Sequence, residues 1–447
     1  MPNKSFSVNI LSKINNFDKT IRVDSDKSIS IRSFLIGSIS HNISKVKNIL
    51  ESEDVFAAIK CLKKLGVKIK KIKSQEYEIY GKGLGSLNCK KGTILDFGNS
   101  GTLCRLLTGI LATTPNIDVT LTGDSSLKKR NMSKLINLMS EFGAEFFPKN
   151  RFFLPLRMVS SEIPIGIKYK AGVSAQLKSA VMLAATNSFG TTNIIEEKMS
   201  RDHTENILLN SPDIIKIKKG KKKFIKIYGK KYLNSLNIKV SCDPSAAAFY
   251  VALTLLKNDS FLKIKNVGLN KTRIGFYEML KKHGAKINFK NIKLINNETV
   301  GDVHVRSSTI KSIKAPEIFY VKSTDEFPIL FCIAALTKGV SIFKGIKDLA
   351  NKESNRILEM KKVLKQIGIK AEVSKDQIKI FGNPKVKDSK KTIKIPNLGD
   401  HRICMSAVIL SLLTGSKAYI KNFETVNTSS PNFLKIIKDL GAKFEKK

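Results

Sequence analysis

The chain has 447 residues, of which 42% are hydrophobic and 26% charged, and its formal net charge at pH 7 is +42. The apolar content is that of a folded protein rather than a disordered one, and no apolar run approaches the length of a membrane span. The six cysteines lie far apart, without CxxC or Cys/His spacing, so neither a metal site nor a disulfide framework is predicted and a cytoplasmic location is favoured.

The excess of positive charge has two interpretations, a nucleic-acid-binding surface or a bias of composition. Only 11 of the 79 basic residues are arginine, tryptophan is absent, and lysine is spread along the chain. These features are typical of AT-rich codon usage, so we favour compositional bias and predict no nucleic-acid partner. Arginine retained against such a bias should mark positions that need a planar, two-pronged donor, as carboxylate and phosphate sites do.

Helix-like and β-rich segments alternate along the chain, which predicts an α/β protein. In chain order, the clearest are a helix over 29–39, a helix over 103–111, a strand over 119–122, a helix over 177–185, a basic hairpin over 216–231 and a helix over 403–413.

A repeated joint divides the chain into units. At five places a helix-like segment ends in glycine and continues as a short strand, and these glycines are Gly66, Gly143, Gly284, Gly368 and Gly441. They recur with a period of roughly 75 residues, and one gap of about two periods has its midpoint near Asn210. We therefore predict six units in two halves, with a boundary at about residues 235–243.

Five short polar turns each precede an apolar helix, at residues 24–28, 98–102, 172–176, 352–356 and 399–402. A helix N-terminus offers free N–H groups and partial positive charge, so it binds anions. One such turn is most simply an ordinary capped helix, but five, four of them carrying Lys or Arg within a turn of the helix start, predict a cleft for small polyanions. The i,i+4 spacing puts Arg32, Arg105 and Arg356 on one helix face with Ser28, Gly101 and Lys352, respectively.

Two acidic residues accompany these cations, and each has a structural alternative. Asp325 precedes an apolar helix and is either its cap or a chemical group, whereas Glu353, expected in a first helical turn, is either a partner of the helix dipole or a chemical group. His203 and His401 each follow an aspartate, and we assign both to structural hydrogen bonding rather than to catalysis.

Taken together, these segments resemble the motifs of the 5-enolpyruvylshikimate-3-phosphate synthase (EPSP synthase) family, in family order from about residue 20 to the C-terminus. In the first half the likeness rests on Asp26-Lys27-Ser28 with Arg32, Gly98-Asn99-Ser100-Gly101-Thr102 with Arg105, Gly123-Asp124-Ser125-Ser126-Leu127 with Arg130, Ser174-Ala175-Gln176, and Ser200-Arg201-Asp202-His203-Thr204-Glu205. In the second half it rests on Asp243-Pro244-Ser245, Thr272-Arg273, Asp325-Glu326-Phe327-Pro328, Lys352-Glu353-Ser354 with Arg356, and Asp400-His401-Arg402.

The resemblance implies an α/β fold of two domains, an inside-out α/β barrel in which each domain has three βαβαββ units around a pseudo-threefold axis. The N-terminal domain would comprise residues 23–239 and mainly bind shikimate 3-phosphate. The C-terminal domain would comprise residues 1–22 together with 240–447 and carry the catalytic acids and arginines for phosphoenolpyruvate.

The implied activity is that of a 3-phosphoshikimate 1-carboxyvinyltransferase of chorismate and aromatic amino acid biosynthesis, acting as a monomer without metal or organic cofactor. It transfers enolpyruvyl from phosphoenolpyruvate to the 5-hydroxyl of shikimate 3-phosphate and releases phosphate. By position in the motifs, the residues for shikimate 3-phosphate are Lys27, Ser28, Arg32, Ser174, Ala175, Gln176, Arg201, Asp325 and Lys352. Those for phosphoenolpyruvate are Lys27, Gly101, Arg130, Gln176, Arg356 and Arg402.

The implied catalytic residues are Asp325, Glu353 and Lys27. The enol methylene is protonated, the hydroxyl adds to the resulting cationic carbon, and phosphate then leaves. Glu353 is the candidate acid and Asp325 the candidate base, and the surrounding cations offset the developing charge.

Two further expectations follow from the resemblance. Glyphosate, the family's inhibitor, occupies the phosphoenolpyruvate position, and Gly101, where some relatives have alanine, predicts room for it.

The same architecture serves UDP-N-acetylglucosamine enolpyruvyl transferase, which uses a loop cysteine as its acid. Residues 112–130 contain no cysteine, so this alternative is less favoured, and phosphate release with either acceptor would separate the two.

Overall fold

The computed structural model describes residues 5–388 and 391–447, and helices and short strands alternate throughout. The α-helices are α1 (Lys27–Ile39), α2 (Glu53–Lys64), α3 (Gly101–Ala112), α4 (Ser125–Lys128), α5 (Ser133–Glu141), α6 (Ala175–Thr186), α7 (His203–Leu208), α8 (Pro244–Leu256), α9 (Gly275–Lys282), α10 (Ile318–Ser323), α11 (Phe327–Ala335), α12 (Arg356–Gln366), α13 (His401–Thr414) and α14 (Phe433–Asp439). Three segments form 3₁₀ turns, Lys347–Asn351, Pro384–Asp388 and Phe423–Thr428.

The strands are β1 (Val8–Ile10), β2 (Asp18–Ile21), β3 (Ile43–Lys47), β4 (Lys68–Lys73), β5 (Glu76–Tyr80), β6 (Thr93–Asp96), β7 (Asp118–Thr122), β8 (Glu145–Phe147), β9 (Leu156–Val159), β10 (Lys168–Ala171), β11 (Thr191–Glu196), β12 (Ile215–Lys219), β13 (Lys223–Tyr228), β14 (Asn237–Lys239), β15 (Phe261–Gly268), β16 (Lys286–Ile295), β17 (Glu298–Arg306), β18 (Lys314–Ala315), β19 (Gly339–Lys344), β20 (Ala371–Ser374), β21 (Gln377–Gly382), β22 (Thr392–Ile395), β23 (Lys417–Ile420) and β24 (Phe444–Lys446).

Within the described residues these strands form six four-stranded sheets, and all six follow one scheme. An edge strand runs parallel to the second strand, and the second pairs antiparallel with the third. The orders are β14-β3-β5-β4, β6-β7-β9-β8, β10-β11-β13-β12, β2-β15-β17-β16, β18-β19-β21-β20 and β22-β23-β1-β24. The predicted sixfold α/β repeat is confirmed.

Side-chain patterning explains which elements are buried. In β7, Val119 and Leu121 are buried and their neighbours are partly exposed, which is the alternation of a strand with one solvated face. By contrast, every residue of α8 and of α13 is buried, as expected for helices that are apolar all round. These two helices therefore occupy the interior, and a strand such as β7 keeps one face towards solvent, as in an inside-out barrel.

The five predicted glycine joints are present at the ends of helices. Gly66, Gly143, Gly284, Gly368 and Gly441 follow helix ends and all have positive φ, between +80° and +101°. A left-handed residue at this position lets a helix end and the chain turn into the next strand. The gap near Asn210 is filled by the same supersecondary unit without glycine, because α7 is followed directly by the hairpin of β12 and β13.

The chain forms two compact units, which we call central and terminal. The central unit comprises Ser25–Val240 and Ile295–Glu298, and the terminal unit comprises Met1–Asp24, Ser241–Leu294 and Thr299–Lys447. Three sheets belong to each, and the first sheet of each is completed by a strand distant in sequence. In the central unit β14 pairs with β3, and in the terminal unit β2 pairs with β15. No helix in the described part of the chain is long and apolar enough to cross a bilayer.

Candidate active site

All five polar turns cap helices through a side chain, as the sequence indicates. The residues whose side-chain oxygens accept a backbone N–H of the first turn are Asp26 for α1, Ser100 for α3, Ser174 for α6, Asn355 for α12 and Asp400 for α13. Each cap satisfies one N–H that the helix leaves open and fixes the direction in which the helix begins. The residues after each cap are thereby held in defined positions.

Arg32 on α1 is buried, with 3% of its surface exposed. Its Nε donates to Thr204 Oγ1 at 2.8 Å, and its Nη2 donates to Ser179 Oγ at 3.1 Å. Its Nη1 donates to the backbone oxygen of Ser28 at 3.0 Å, which confirms that Ser28 and Arg32 share a helix face. Three helices, α1, α6 and α7, therefore define the orientation of this guanidinium.

Lys27, the first residue of α1, is anchored by an acid on the next helix. Its Nζ lies 2.9 Å from Asp54 Oδ2 on α2, and the two side chains are 17% and 5% exposed, respectively. The partly buried ammonium group thus has one fixed partner and lies beside the α1 N-terminus, where partial positive charge favours anions.

The start of α3 brings together five motif residues, namely Gly101, Thr102, Arg105, Arg130 and Gln176. A Cβ atom on Gly101 would lie 2.7 Å from Arg105 Nη1 and 2.8 Å from Arg130 Nη1. Arg105 Nη1 also donates to Gln176 Oε1 at 2.8 Å, and Gln176 Nε2 donates to Thr102 Oγ1 at 3.1 Å. Gly101, Arg130 and Gln176 therefore adjoin one another, and Arg105, which the predicted site did not include, joins them. Its retention as arginine in a lysine-rich chain was the available signal.

Arg130 is held from the loop that precedes α3. Its Nη2 donates to Asn99 Oδ1 at 2.9 Å and to Ser126 Oγ at 3.5 Å. Asn99 in turn donates to Asp124 Oδ2 at 2.7 Å. The two glycine-containing loops, 98–102 and 123–127, are thus joined through side chains that orient the guanidinium.

Three more predicted residues of the central unit lie at the ends of its elements. Ser174 caps α6, and Ala175 is the first residue of that helix. Arg201 lies two residues before α7 and is partly exposed. The preceding Ser200 is fixed by its backbone N–H and its hydroxyl, which donate to Glu196 Oε1 at 2.9 and 2.6 Å.

In the terminal unit, Arg356 brings three acids together. Its Nε donates to Asp400 Oδ2 at 2.9 Å, and its Nη2 donates to Glu353 Oε2 at 2.5 Å. Asp325 Oδ1 lies 3.6 Å from Nη1. Arg356 is 1% exposed, whereas Glu353 and Asp325 are 16% and 26% exposed in their side chains. The candidate acid and the candidate base therefore flank one buried guanidinium.

These carboxylates stabilise the charged form of Arg356 against its burial. Burial alone would lower its pKa, but Asp400, Glu353 and Asp325 raise the pKa well above its usual value. The guanidinium is thus a permanent cation at the centre of this group.

The prediction that Lys352 and Arg356 share a helix face is wrong. The chain before α12 is a turn, and α12 begins only at Arg356, capped by Asn355. Glu353 is therefore not in a first helical turn. Ser354 explains the delay, because its hydroxyl donates to Asp400 Oδ2 at 2.9 Å and holds the chain outside the helix. Lys352 instead pairs with Asp348, with Nζ 2.5 Å from Oδ2.

The cap alternative for Asp325 is also wrong, because α11 starts at Phe327 with Glu326 as its N-cap.

Arg402, in the first turn of α13, is buried at 4% exposure, and its guanidinium lies 5.8 Å from the ring centre of Phe249. Its Nε is buried and makes no hydrogen bond within residues 5–388 and 391–447. A buried cationic donor without a partner among these residues is suited to an anionic ligand.

The two histidines have structural contacts, as predicted. His203 Nδ1 lies 2.7 Å from Glu298 Oε1, and His401 Nδ1 lies 3.5 Å from Thr428 Oγ1. Glu298 is the first residue of β17, far from His203 in sequence. Among the described residues, no group of three or more His, Cys, Asp or Glu side chains is arranged to hold a metal ion.

Comparison with known proteins gives one consistent family. Residues 11–437 match the family model described as EPSP synthase (3-phosphoshikimate 1-carboxyvinyltransferase). The chain is 35% identical over 424 residues to a 3-phosphoshikimate 1-carboxyvinyltransferase of Paramagnetospirillum magneticum, with 94% of each chain covered. It is 37% identical over 429 residues to that of Zymomonas mobilis, covering 95% of this chain and 94% of the relative.

Solved structures agree with these relatives. An EPSP synthase from Acinetobacter baumannii superposes with a TM-score of 0.84 at 32% identity, covering 99% of this chain and 100% of that one. The enolpyruvyl transferase NikO from Streptomyces tendae superposes with a TM-score of 0.77 at 13% identity, covering 99% of each chain, and this likeness concerns the fold alone.

Proposed function

The chain belongs to the EPSP synthase family and is a 3-phosphoshikimate 1-carboxyvinyltransferase, and on this premise we propose how its residues divide the reaction. The substrates are shikimate 3-phosphate and phosphoenolpyruvate, and the products are enolpyruvylshikimate 3-phosphate and inorganic phosphate. The central unit mainly binds shikimate 3-phosphate, and the terminal unit supplies the acid and the base.

Shikimate 3-phosphate binds to Lys27, Ser28, Arg32, Ser174, Ala175, Gln176, Arg201, Asp325 and Lys352. Arg32 and Arg201 receive its phosphate group, because arginine offers the paired donors that phosphate geometry suits. The contacts of Arg32 with Thr204 and Ser179 support this assignment, since they fix the guanidinium before the substrate arrives.

Phosphoenolpyruvate binds to Lys27, Gly101, Arg130, Gln176, Arg356 and Arg402. The close approach of Arg130 to Gly101 supports this set, because the absence of a Cβ there leaves room beside the guanidinium. The buried Nε of Arg402, which has no partner within the described residues, supports a second cationic contact.

The chemistry is an addition followed by an elimination. Glu353 gives a proton to the methylene carbon of phosphoenolpyruvate, while Asp325 takes the proton of the 5-hydroxyl as that oxygen bonds to the adjacent carbon. The carboxylate of Glu353 then removes a proton from the new methyl group, the double bond reforms, and phosphate leaves with the proton that Asp325 took from the hydroxyl. Lys27, beside the α1 N-terminus, offsets negative charge that develops on the phosphoryl oxygens.

The observation that carries this division is the arrangement around Arg356. The guanidinium holds Glu353 and Asp325 at 2.5 and 3.6 Å, so two carboxyl groups of different exposure flank one cation. Such a pair can serve opposite proton transfers in one reaction.

We also propose the two domains as residues 23–239 and residues 1–22 with 240–447, and a monomer in a reducing, cytoplasmic compartment. The six cysteines are free thiols, which supports that compartment.

The activity is tested by measuring phosphate release from phosphoenolpyruvate with shikimate 3-phosphate or with UDP-N-acetylglucosamine as acceptor. We expect release with shikimate 3-phosphate and none above background with the nucleotide sugar. Release with the nucleotide sugar alone would assign the chain to the other enolpyruvyl transfer, and release with neither would contradict both reactions.

A further inference from the structure

Four charged side chains in the central unit form a buried group that the proposed substrate residues do not include. Lys178 on α6 is fully buried, and its Nζ lies 2.7 Å from Glu196 Oε1 and 2.6 Å from Glu205 Oε1. Lys223 on β13 lies 3.0 Å from Glu205 Oε1 and 3.6 Å from Glu196 Oε2. We call Lys178, Glu196, Glu205 and Lys223 the buried charge network.

The four charges depend on one another. Burial alone would raise the pKa of Glu205, but Lys178 and Lys223 lower it; burial alone would lower the pKa of Lys223, but Glu205 and Glu196 raise it. With two positive and two negative groups the network is balanced, and removing one member leaves an uncompensated charge in the interior. Separating the elements that carry these side chains would break this pairing, so the network favours one relative arrangement of them.

Two members of the network are sequence neighbours of the residues that orient Arg32. Lys178 precedes Ser179 on α6, and Glu205 follows Thr204 on α7. Consecutive residues on a helix point about 100° apart, so one side chain of each pair faces the network while its neighbour faces Arg32. Ser179 and Thr204 also bond to each other, with Oγ atoms 2.8 Å apart.

The network reaches a second predicted phosphate residue through Glu196. Glu196 Oε1 accepts both the backbone N–H and the hydroxyl of Ser200, at 2.9 and 2.6 Å. Ser200 immediately precedes Arg201. The same carboxylate oxygen that pairs with Lys178 thus fixes the start of the segment that carries Arg201.

We propose that Lys178 and Glu196 are positioning residues for shikimate 3-phosphate, because the buried charge network holds α6, α7 and the segment after β11 in the arrangement that directs Arg32 and Arg201 towards the phosphate. The inference rests on the proposed function, in which these two arginines bind that group. It also gives Lys223, one lysine of the basic hairpin predicted over 216–231, a place in this network.

The test uses the full chain with Lys178→Met, which keeps the length of the side chain and removes its charge. The dissociation constant of shikimate 3-phosphate is measured by calorimetry without phosphoenolpyruvate, and the KM of each substrate is measured by phosphate release. We expect shikimate 3-phosphate to bind roughly tenfold or more weakly, because small misplacements of binding groups are costly, while the KM of phosphoenolpyruvate changes less than about twofold.

Two further variants separate positioning from general loss of stability. Met158→Ala removes a fully buried side chain from β9 in another sheet of the same unit, so it should lower the melting temperature and leave shikimate 3-phosphate affinity unchanged. Glu196→Gln keeps the shape at Ser200 and removes the charge, and it carries the test if Lys178→Met does not fold. The double variant should be less than additive with its two single variants.

The outcomes distinguish this inference from the proposed function. If Arg32→Lys weakens shikimate 3-phosphate binding and folded Lys178→Met and Glu196→Gln do not, the positioning role is overturned and the proposed function stands. Equal weakening for both substrates, or the same loss in Met158→Ala, also overturns it. If Arg32→Lys itself has no effect on shikimate 3-phosphate affinity, the proposed function fails.

Discussion

Arg32 in the central unit and Arg356 in the terminal unit are both buried and both lie in motifs, yet different groups hold them. Arg32 donates to the hydroxyls of Thr204 and Ser179, and those hydroxyls lie on helices that the buried charge network joins. Arg356 donates to the carboxylates of Asp400 and Glu353.

The contrast separates two uses of a guanidinium. In the central unit the surrounding structure positions the arginine, which is what binding a phosphate group requires. In the terminal unit the arginine positions the carboxylates of Asp400, Glu353 and Asp325, and the last two are the groups proposed to exchange protons with the substrates. Changes around Arg32 should therefore alter affinity, whereas changes around Arg356 should alter turnover.

The largest expected effect is that of Glu353→Gln. Glutamine keeps a hydrogen bond to Arg356 but cannot give up a proton, so we expect kcat to fall by roughly 10²- to 10⁴-fold, the usual range for loss of a general acid or base. Shikimate 3-phosphate affinity should remain near normal, as calorimetry would show. A kcat within about threefold of the unchanged protein would mean that Glu353 serves only as a partner of Arg356.

Arg402→Lys and Arg130→Lys test one arginine from each unit against the same substrate. Lysine keeps the charge but cannot make the paired contact, so loss of one charge-assisted hydrogen bond, about 1.5–3 kcal/mol, should raise the KM of phosphoenolpyruvate roughly 10- to 100-fold. Arg157→Lys is a matched control, because Arg157 forms an exposed pair with Asp118. An unchanged KM in either test variant would remove that residue from the phosphoenolpyruvate set.

Gly101→Ala should act on an inhibitor more than on the substrate. The new methyl group would lie 2.7 and 2.8 Å from the guanidinium nitrogens of Arg105 and Arg130, so one or both side chains must shift. Glyphosate is longer than phosphoenolpyruvate, and overpacking of about 1–3 kcal/mol should raise its inhibition constant by roughly 5- to 150-fold. Inhibition assays at several phosphoenolpyruvate concentrations give both constants, and equal changes in the two would contradict the prediction.

The smallest expected effect is that of Thr204→Val, which removes one hydroxyl that orients Arg32. Loss of a single hydrogen bond of about 1 kcal/mol should raise the dissociation constant of shikimate 3-phosphate roughly fivefold. Calorimetry measures this constant, and kcat should change less than about twofold. A fall in kcat with unchanged affinity would reverse the division of roles between the two units.

Local pattern was sufficient for most of the fold. Helix caps such as Asp26 and Ser174, and the glycine joints, depend on neighbours within a few residues, so the sequence displays them directly. Local sequence pattern does not show the register in which strands pair, yet the period of the glycine joints was enough to predict six units. The segment Ile295–Glu298, where β16 ends and β17 begins, had no such signal, because its place in the central unit depends on contacts with residues distant in sequence, including His203.

The site was less predictable where distant residues compete with local spacing. Lys352 and Arg356 have helical spacing, but Ser354 bonds to Asp400, 46 residues away, and α12 begins later. Lys178 and Lys223 look like any other lysines in a lysine-rich chain, and only the fold brings them to Glu205. Arg105, in contrast, could have been predicted. It is one of the few arginines in a lysine-rich chain, which indicated an anion-binding residue, yet the predicted site omitted it.

The pairing of distant strands has a consequence for synthesis of the protein on the ribosome. Strand β1 (Val8–Ile10) pairs with β23 and with β24 (Phe444–Lys446), so its partners are made long after it. At roughly 5–20 residues per second, β1 waits on the order of 20 to 90 seconds with open hydrogen-bonding edges. The central unit waits less, because β14 completes its first sheet about halfway along the chain. The first sheet of the central unit can therefore form before the sheet that contains β1. Correct folding of the terminal unit then requires that β1 and β2 do not pair with other strands before their partners are synthesised.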